Sequence, residues 1–447
     1  MVAIILCILA FGTCYWAGKR SLGRGLVALL VFGYFYGILR ANILATFSHF
    51  IFDAGLVGLY LSPTWRSKIA AEHKRSRAAK VWVAILVLWP LLLLAMPFQP
   101  LLVSLVGLRG NVFFIPLLLL GSRLRQKDLL ELSAGVAILD LIAVGFAAAE
   151  YVLGVPRFYP QNVVTLIIYA SIDAGPGFFR IPAIFTSAHA FGATMVATIP
   201  YLMGLWTSGE KPWHRVVALA SMGAAMVGVL MSATRVNFVF GCVMVTIFVF
   251  TAKVQRKHRI LFLFIIGIMA ATALTNVRFQ RFKSLGDTES VSERLAGSVN
   301  RNFWEILEDY PMGNGLGGGG TSIPYFLQGE VRNPIGMENE YARILSEQGV
   351  VGLLIWLAFV GWLVGRFPIA FARGPDATCR RIVWCLCLFS FGTAWIGTGL
   401  LTSIPATLFL MLGSGWTTVP PASPAATPRK RRPGLREQTP AYASAIR

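Results

Sequence analysis

The sequence is poor in charge, and most of the charge that it has is positive. Only 13% of its 447 residues are charged whereas 56% are hydrophobic, and 40 basic residues face 20 acidic ones. Because soluble domains carry roughly a quarter charged residues, a soluble enzyme is excluded. Many apolar runs approach the ~20 residues that a helix needs to cross a bilayer. The sequence therefore predicts an all-α, multi-pass integral membrane protein.

The sequence also lacks the residue patterns of metal and disulfide sites. All six cysteines lie in or beside apolar segments, without the paired spacing in a polar loop that a zinc site or disulfide framework requires. The acidic residues are scattered and often adjacent to arginines, which is unlike a metal-ligand set. We therefore expect no metal and no cofactor.

The net charge of +20 does not indicate a nucleic-acid partner. The basic residues form short clusters between apolar runs, as topology signals do, instead of lining one polar face. We therefore expect no nucleic acid among the partners and use the clusters to orient the chain.

The apolar runs predict about 12 to 13 transmembrane helices. The runs are approximately 2–17, 25–39, 43–62, 81–97, 109–121, 133–154, 185–206, 216–232, 236–252, 260–275, 349–365, 382–397 and 400–414. Basic clusters follow alternate runs, so the positive-inside rule predicts an N-terminus outside and a C-terminus in the cytoplasm. No basic residue precedes the first run, which favours a retained helix over a cleaved signal peptide.

Three regions follow from this pattern. Residues 1–414 form the transmembrane helical domain, and residues 276–347 form one long extracytoplasmic loop that carries half of the acidic residues. Long hydrophilic loops in compact domains are usually functional. Residues 415–447 are rich in Pro, Ala, Ser, Thr and Arg, which predicts a disordered, basic, cytoplasmic tail.

Several arginines of the long loop are candidate anion ligands. The spacing of apolar residues predicts an amphipathic helix over 291–309, ended by Pro311. Arg294 lies on its polar face without an acid four residues on, so it is a better ligand candidate than its neighbours. Arg278 and Arg281 lie at the predicted outer membrane surface, where they suit either an anionic ligand or lipid phosphates.

The loop ends in two unusual stretches. GNGLGGGG at 313–320 contains G-x-G-x-x-G, but no strand precedes it and no Lys-Ser/Thr follows, so we expect a flexible turn near a sugar or phosphate instead of a nucleotide site. MENEYAR at 337–343 then places polar groups at the mouth of an apolar helix. Such groups are usually functional, although Glu338 or Glu340 also suits a helix N-terminus and Arg343 has Glu347 four residues away.

Together these stretches resemble the signature region of the O-antigen ligase and O-antigen polymerase superfamily. In that family a glycine-rich stretch precedes a His-Asn or related polar pair and then Glu-x-Gly-x-x-Gly, which Glu347, Gly349 and Gly352 supply here. Residues 177–195 are similar to the family's arginine-bearing outer segment, and residues 231–237 to its Ser-Arg element.

The chain departs from the ligase pattern at one position. Where ligases carry a histidine, this sequence has Glu338, and none of its five histidines lies in the long loop. His189 and His49 sit in apolar segments, and we interpret them as core or interface histidines. This departure favours a polymerase or another polysaccharide-assembly member over a ligase.

The resemblance implies a metal-independent glycosyltransferase in the bacterial cytoplasmic membrane. Its donor would be a polyprenyl-diphosphate-linked glycan, its acceptor a glycan or lipid, and its further partners membrane lipid and other polysaccharide-assembly proteins. Glu338 would act as the catalytic base. The diphosphate would be bound by Arg180, Arg278, Arg281 and Arg294, with Arg235 behind them, and the supporting residues would be Asn339, Tyr341 and Arg343.

Two other interpretations stay open. A transporter or flippase would use the intramembrane acids Asp53, Asp140 and Glu150, although no internal repeat is visible. A noncatalytic assembly scaffold would keep the fold without the histidine.

Overall fold

The computed structural model describes most of the chain. The described residues are 1–63, 76–172, 178–251, 256–276, 282, 292, 303–320, 323–337, 339–374 and 376–421. The predicted tail therefore lies largely outside them, beyond residue 421.

Across these residues the protein is a bundle of α-helices without a β-strand. An isolated antiparallel β-bridge joins Ile172 and Phe179. Short 3-10 helices lie at Thr46–Phe50, Val155–Arg157 and Tyr325–Glu330. The helices are α1 Val2–Arg20, α2 Leu22–Asn42, α3 Ile51–Leu61, α4 Arg77–Leu93, α5 Leu101–Val112, α6 Leu117–Ser122, α7 Gln126–Leu153, α8 Leu166–Tyr169, α9 Ala188–Ser208, α10 Pro212–Met231, α11 Arg235–Thr251, α12 Arg256–Thr275, α13 Phe303–Asp309, α14 Glu340–Gly365, α15 Phe367–Ala370, α16 Ala377–Thr393 and α17 Ala406–Thr417.

The predicted all-α membrane fold is confirmed. Seven helical segments of the described chain are long and apolar enough to cross a membrane, with α5 and α6 counted as one segment. Several further apolar helices of 10–17 residues coincide with the remaining predicted runs. Helices that are apolar on every side suit a lipid environment or the core of a helical bundle. This explains why composition alone located these helices.

Helix α9 lies at the centre of the bundle. Within its most apolar window 89% of the residues are buried, a larger share than in any other membrane-length helix of the described chain. It contacts α7, α10, α11, α16 and α17. Its first turn, which follows the N-cap Ser187, is therefore held firmly at one end of the bundle.

Side-chain contacts define the two ends of the bundle. At one end the main-chain N–H of Gly23 donates to Oδ1 of Asp128 at 3.3 Å, joining the starts of α2 and α7. At the other end Asn42 donates to the main-chain oxygen of Phe158 at 3.1 Å, joining the last residue of α2 to the residues that follow α7. The second end, which we call the loop end, also carries the residues before α9 and α14.

The last helix continues past the predicted start of the tail. Helix α17 ends at Thr417, and Arg380 donates to the main-chain oxygens of Trp416 and Val419 at 2.9 and 2.5 Å. These bonds satisfy carbonyl groups at the helix C-terminus with a cation, an arrangement that the helix dipole favours.

Candidate functional site

The helix that begins at Glu340 is broken near its start. Gly349 has φ 69° and ψ −174°, which separates a short segment, residues 340–348, from the longer span. The main-chain N–H of Val350 donates to the oxygen of Pro311 at 2.9 Å, and Trp89 Nε1 donates to the oxygen of Gln348 at 3.0 Å. These partners satisfy groups that the break leaves without helical bonds.

The glycine-rich segment is a packed element of the loop end. Residues 313–319 are buried, and Gly313, Gly315 and Gly317 all have positive φ, a conformation that other residues rarely adopt. A Cβ on Gly107 of α5 would lie 2.2 Å from the nitrogen of Gly317. The prediction of a flexible turn was therefore wrong, because burial against two helices fixes this backbone. The approach of this backbone to a sugar or phosphate stays a prediction.

Arg343 lies at the centre of a buried charged cluster. Its Nη2 is 2.7 Å from Oε1 of Glu340, and its Nη1 is 2.9 Å from Oε2 of Glu347. Asn111 of α5 accepts from Arg343 at 3.2 Å and from Gln348 at 2.9 Å, and donates to Glu347 at 2.5 Å. The predicted pairing of Arg343 with Glu347 is confirmed. We call these five residues the Arg343 cluster.

The Arg343 cluster joins separate segments of the loop end. Oε2 of Glu340 accepts the main-chain N–H of Gly399 at 2.7 Å, and the N–H of Glu340 donates to the oxygen of Ala394 at 2.9 Å. A Cβ on Gly319 would lie 2.9 Å from Oε1 of Glu347. The cluster thereby fixes α14 against α5, the glycine-rich segment and the chain between α16 and α17.

Asn339 and Tyr341 hold the start of α14. The side chain of Asn339 caps the helix by accepting the main-chain N–H groups of Tyr341 and Ala342 at 2.8 and 3.1 Å. The hydroxyl of Tyr341 donates to the oxygen of Phe391 at 2.9 Å. Both side chains are buried instead of lying at the water boundary that the sequence suggested, since segment 340–348 enters the bundle.

Arg180 lies in a second polar region of the loop end, and its side chain is only 5% exposed. Its Nη1 is 3.2 Å from Nε2 of His189 in the first turn of α9, and its Nε has no hydrogen-bond partner among the described residues. Within the described chain no carboxylate forms an ion pair with it. Arg180 is thus a buried cation whose side chain contacts a histidine.

The segment after Arg180 is fixed by an acid and a tyrosine. Oε2 of Glu150 accepts the main-chain N–H of Ala183 at 2.9 Å, and the hydroxyl of Tyr159 donates to the oxygens of Ala183 and Phe185, each at 2.8 Å. Burial and the neighbouring Glu150 raise the pKa of Tyr159, so it stays protonated and able to donate. These bonds hold Ala183 at φ 52°.

The Ser-Arg element lies beside His189. Asn237 Nδ2 is 3.4 Å from the main-chain oxygen of His189 and donates to Oγ1 of Thr234 at 3.0 Å. Arg235, which lies between Thr234 and Asn237 in the sequence, begins α11 and is half-buried. Of the predicted site residues, the structure therefore brings the segments of Arg180 and Arg235 together around His189.

Four predicted site residues, Glu338, Arg278, Arg281 and Arg294, lie outside the described residues. Their roles stay predictions. Asn111 and His189, which the structure places in these clusters, were not among the predicted site residues. Asn111 is a lone polar residue in an apolar run, and His189 was interpreted as a core histidine because its neighbours are apolar. His189 is exposed, and Ser187, a favoured helix cap, could have signalled its position at a helix end.

Residues 186–357 match the family described as O-antigen ligase. This match supports the O-antigen ligase and polymerase superfamily, which the sequence motifs resemble. The matched residues include His189, Arg235, the glycine-rich segment and the Arg343 cluster except Asn111, whereas Arg180 lies just before them. No curated protein sequence matches the chain.

The geometry explains the O-antigen ligase motif at the start of α14. Glu347 binds Arg343 and Asn111, and Gly349 provides the positive φ of the break. A Cβ on Gly352 would lie 2.3 Å from the Cβ of Gln348 and 3.1 Å from Nε1 of Trp89. Glu-x-Gly-x-x-Gly is thus the sequence of a broken helix held to its neighbours.

The family match and the apolar helices together support a membrane enzyme of polysaccharide assembly in the inner membrane. Lipid-linked glycan and membrane lipid are the general substrates that the family implies. Among the described residues, no group of three or more His, Cys, Asp or Glu side chains is arranged to hold a metal ion.

Proposed function

We propose that the protein is a metal-independent glycosyltransferase that polymerises or transfers a polyprenyl-diphosphate-linked glycan at the outer face of the cytoplasmic membrane. The observation that carries this proposal is Arg180, a buried arginine without a carboxylate partner in the described chain, at the end of the bundle that carries the long loop. The family match supplies the class of substrate.

The surroundings of Arg180 differ from those of two other buried or half-buried arginines. Arg109 is paired with Asp53 at 2.5 Å, and Arg343 is paired with both Glu340 and Glu347. Because a buried charge is costly unless it is paired, those two arginines are electrostatically complete. A diphosphate would supply a negative partner for Arg180, which forms no ion pair with a carboxylate of the described residues, and guanidinium binds phosphate oxygens bidentately.

The proposed reaction is one displacement at the anomeric carbon of the donor. The acceptor hydroxyl oxygen forms a bond to that carbon while the bond to the polyprenyl diphosphate breaks, and the leaving diphosphate takes the bonding electrons. Glu338 accepts the hydroxyl proton. Arg180 and Arg235, with Arg278, Arg281 and Arg294 of the long loop, stabilise the charge of the leaving group. A single displacement inverts the anomeric configuration.

Arg343, Asn339 and Tyr341 have positioning roles in this scheme. Arg343 is fully buried and bound to two carboxylates, so it is unsuited to binding phosphate. Asn339 caps α14 directly after Glu338. The Arg343 cluster and this cap together hold the start of α14, which follows Glu338 directly in the sequence.

Deletion of the gene followed by analysis of the surface glycan tests the proposed function. A polymerase predicts loss of long chains with single repeats retained, whereas a ligase predicts full-length chains that accumulate on the lipid carrier. Unchanged surface glycan would contradict the proposal and favour the transporter interpretation.

Metal independence has its own test. Glycan transfer by the purified protein should proceed at the same rate with and without excess EDTA, because the proposed scheme balances the diphosphate charge with arginines alone. Loss of transfer in EDTA, restored by a divalent cation, would refute this part of the proposal.

A further inference from the structure

His189 is the residue that the structure connects most directly to Arg180. The two side chains meet at 3.2 Å through Nη1 of Arg180 and Nε2 of His189. A guanidinium has donors and no acceptor. A hydrogen bond in this contact therefore has Nε2 as its acceptor, which corresponds to a neutral imidazole with its proton on Nδ1.

The position of His189 makes it more than a packing residue. Arg180 is buried whereas His189 is exposed, so the imidazole lies between the guanidinium and the surface of the loop end. The main chain of His189 is held by Asn237, which belongs to the segment that carries Arg235. His189 thus lies on the exposed side of the Arg180 guanidinium.

We propose that His189 is a positioning residue of the diphosphate site, which orients the guanidinium of Arg180 through Nε2. This inference rests on the proposed function. It also assigns a role to a histidine that lies far in the sequence from the position where ligases of the family carry theirs.

The inference predicts different effects of two substitutions at this position. His189→Gln retains an oxygen that can accept from Arg180 and an N–H that can donate, whereas His189→Phe retains size without either group. Because hydrogen bonds to charged groups are among the strong ones, His189→Phe should weaken diphosphate binding about tenfold or more. His189→Gln should stay within about threefold of the parent protein.

Binding is measured with the purified full chain in lipid nanodiscs by calorimetry. The probes are farnesyl diphosphate, inorganic pyrophosphate and farnesol, which separate a lipid-linked diphosphate from a free one and from the lipid alone. Farnesol binding should be the same in both variants, as should thermal unfolding. Arg157→Ala removes an exposed arginine of the same end of the bundle and is the matched control, with no expected change.

Nitrogen-15 NMR of labelled histidine reports the imidazole tautomer, which loss of packing alone would not change. The signal that disappears in His189→Gln should show the tautomer protonated on Nδ1, and Arg180→Ala should abolish this preference. An imidazole protonated on Nε2 in the parent protein would overturn the inference.

The outcomes separate this inference from the proposed function. If Arg180→Ala weakens farnesyl diphosphate binding while His189→Phe leaves it unchanged, the His189 inference fails and the diphosphate site stands. If neither substitution changes binding, the proposed diphosphate site fails as well. Weaker binding in Arg180→Ala and in His189→Phe, with recovery in His189→Gln, supports both the diphosphate site and the His189 inference.

Discussion

At the scale of single residues, the buried arginines differ in what neutralises them. Arg343 is bound by two carboxylates, whereas the guanidinium of Arg180 contacts the imidazole of His189. Burial opposes any charged group that lacks a partner, so the arrangement around Arg343 is complete without a ligand. Arg180 has no carboxylate partner within the part of the chain that the structure describes. Under the proposed function, Arg343 therefore contributes to stability and Arg180 to ligand binding.

Removing the charge of Arg343 should destabilise the fold. Arg343→Met leaves Glu340 and Glu347 as buried carboxylates without their cation, which typically costs ~3–5 kcal/mol. We expect a clearly lower midpoint of thermal unfolding in detergent. Adding Glu340→Gln and Glu347→Gln should recover much of the loss, because no buried charge then remains. If Arg343→Met alone is as stable as the parent protein, Arg343 does not neutralise these acids.

At the scale of elements, the break in α14 depends on the loop that docks against it. Gly349 adopts φ 69°, and a Cβ there would lie 2.6 Å from the carbonyl carbon of Met312. The same glycine in an isolated apolar helix would be helical. The packing of residues 311–314 therefore determines the local structure.

Gly349→Ala should disrupt this junction. The strained φ and the clash with main-chain atoms together predict a loss of ~2 kcal/mol or more. Gly361→Ala is the matched control, since Gly361 lies on the same helix and a Cβ added there would meet no atom within 4 Å. This control should be neutral or slightly stabilising. Equal unfolding midpoints for the two variants would argue against the break at Gly349.

The sequence predicted the helices better than the site. Uniformly apolar runs specify helices by themselves, so every predicted run overlaps a described helix or helix pair. The start of α14 at Glu340, before the predicted run, depends on Asn111 and on pairing between Arg343 and its acids, which composition does not show. Likewise the meeting of Arg180 with His189 depends on how the bends at Ala183 and Ser187 fold back.

At the scale of the whole molecule, the clusters lie at one end of a bundle whose orientation in the membrane follows from charge. We predict that the loop end faces outside and that the tail is cytoplasmic. In a variant whose six native cysteines are replaced, Arg332→Cys should react with a membrane-impermeant maleimide in intact cells. Lys127→Cys, exposed at the opposite end, should react only after permeabilisation. The reverse pattern would invert the topology and move the site to the cytoplasm.

The most direct test of the proposed chemistry is glycan production by Glu338→Gln in the deletion strain. At equal protein level we predict at least a ~100-fold loss of transferred or polymerised glycan, because a general base typically contributes 10²–10⁴-fold. Glu330→Gln, an exposed acid of the same loop, should restore the parent glycan fully. Parent-level glycan from Glu338→Gln would contradict the catalytic role of this carboxylate and favour the scaffold interpretation.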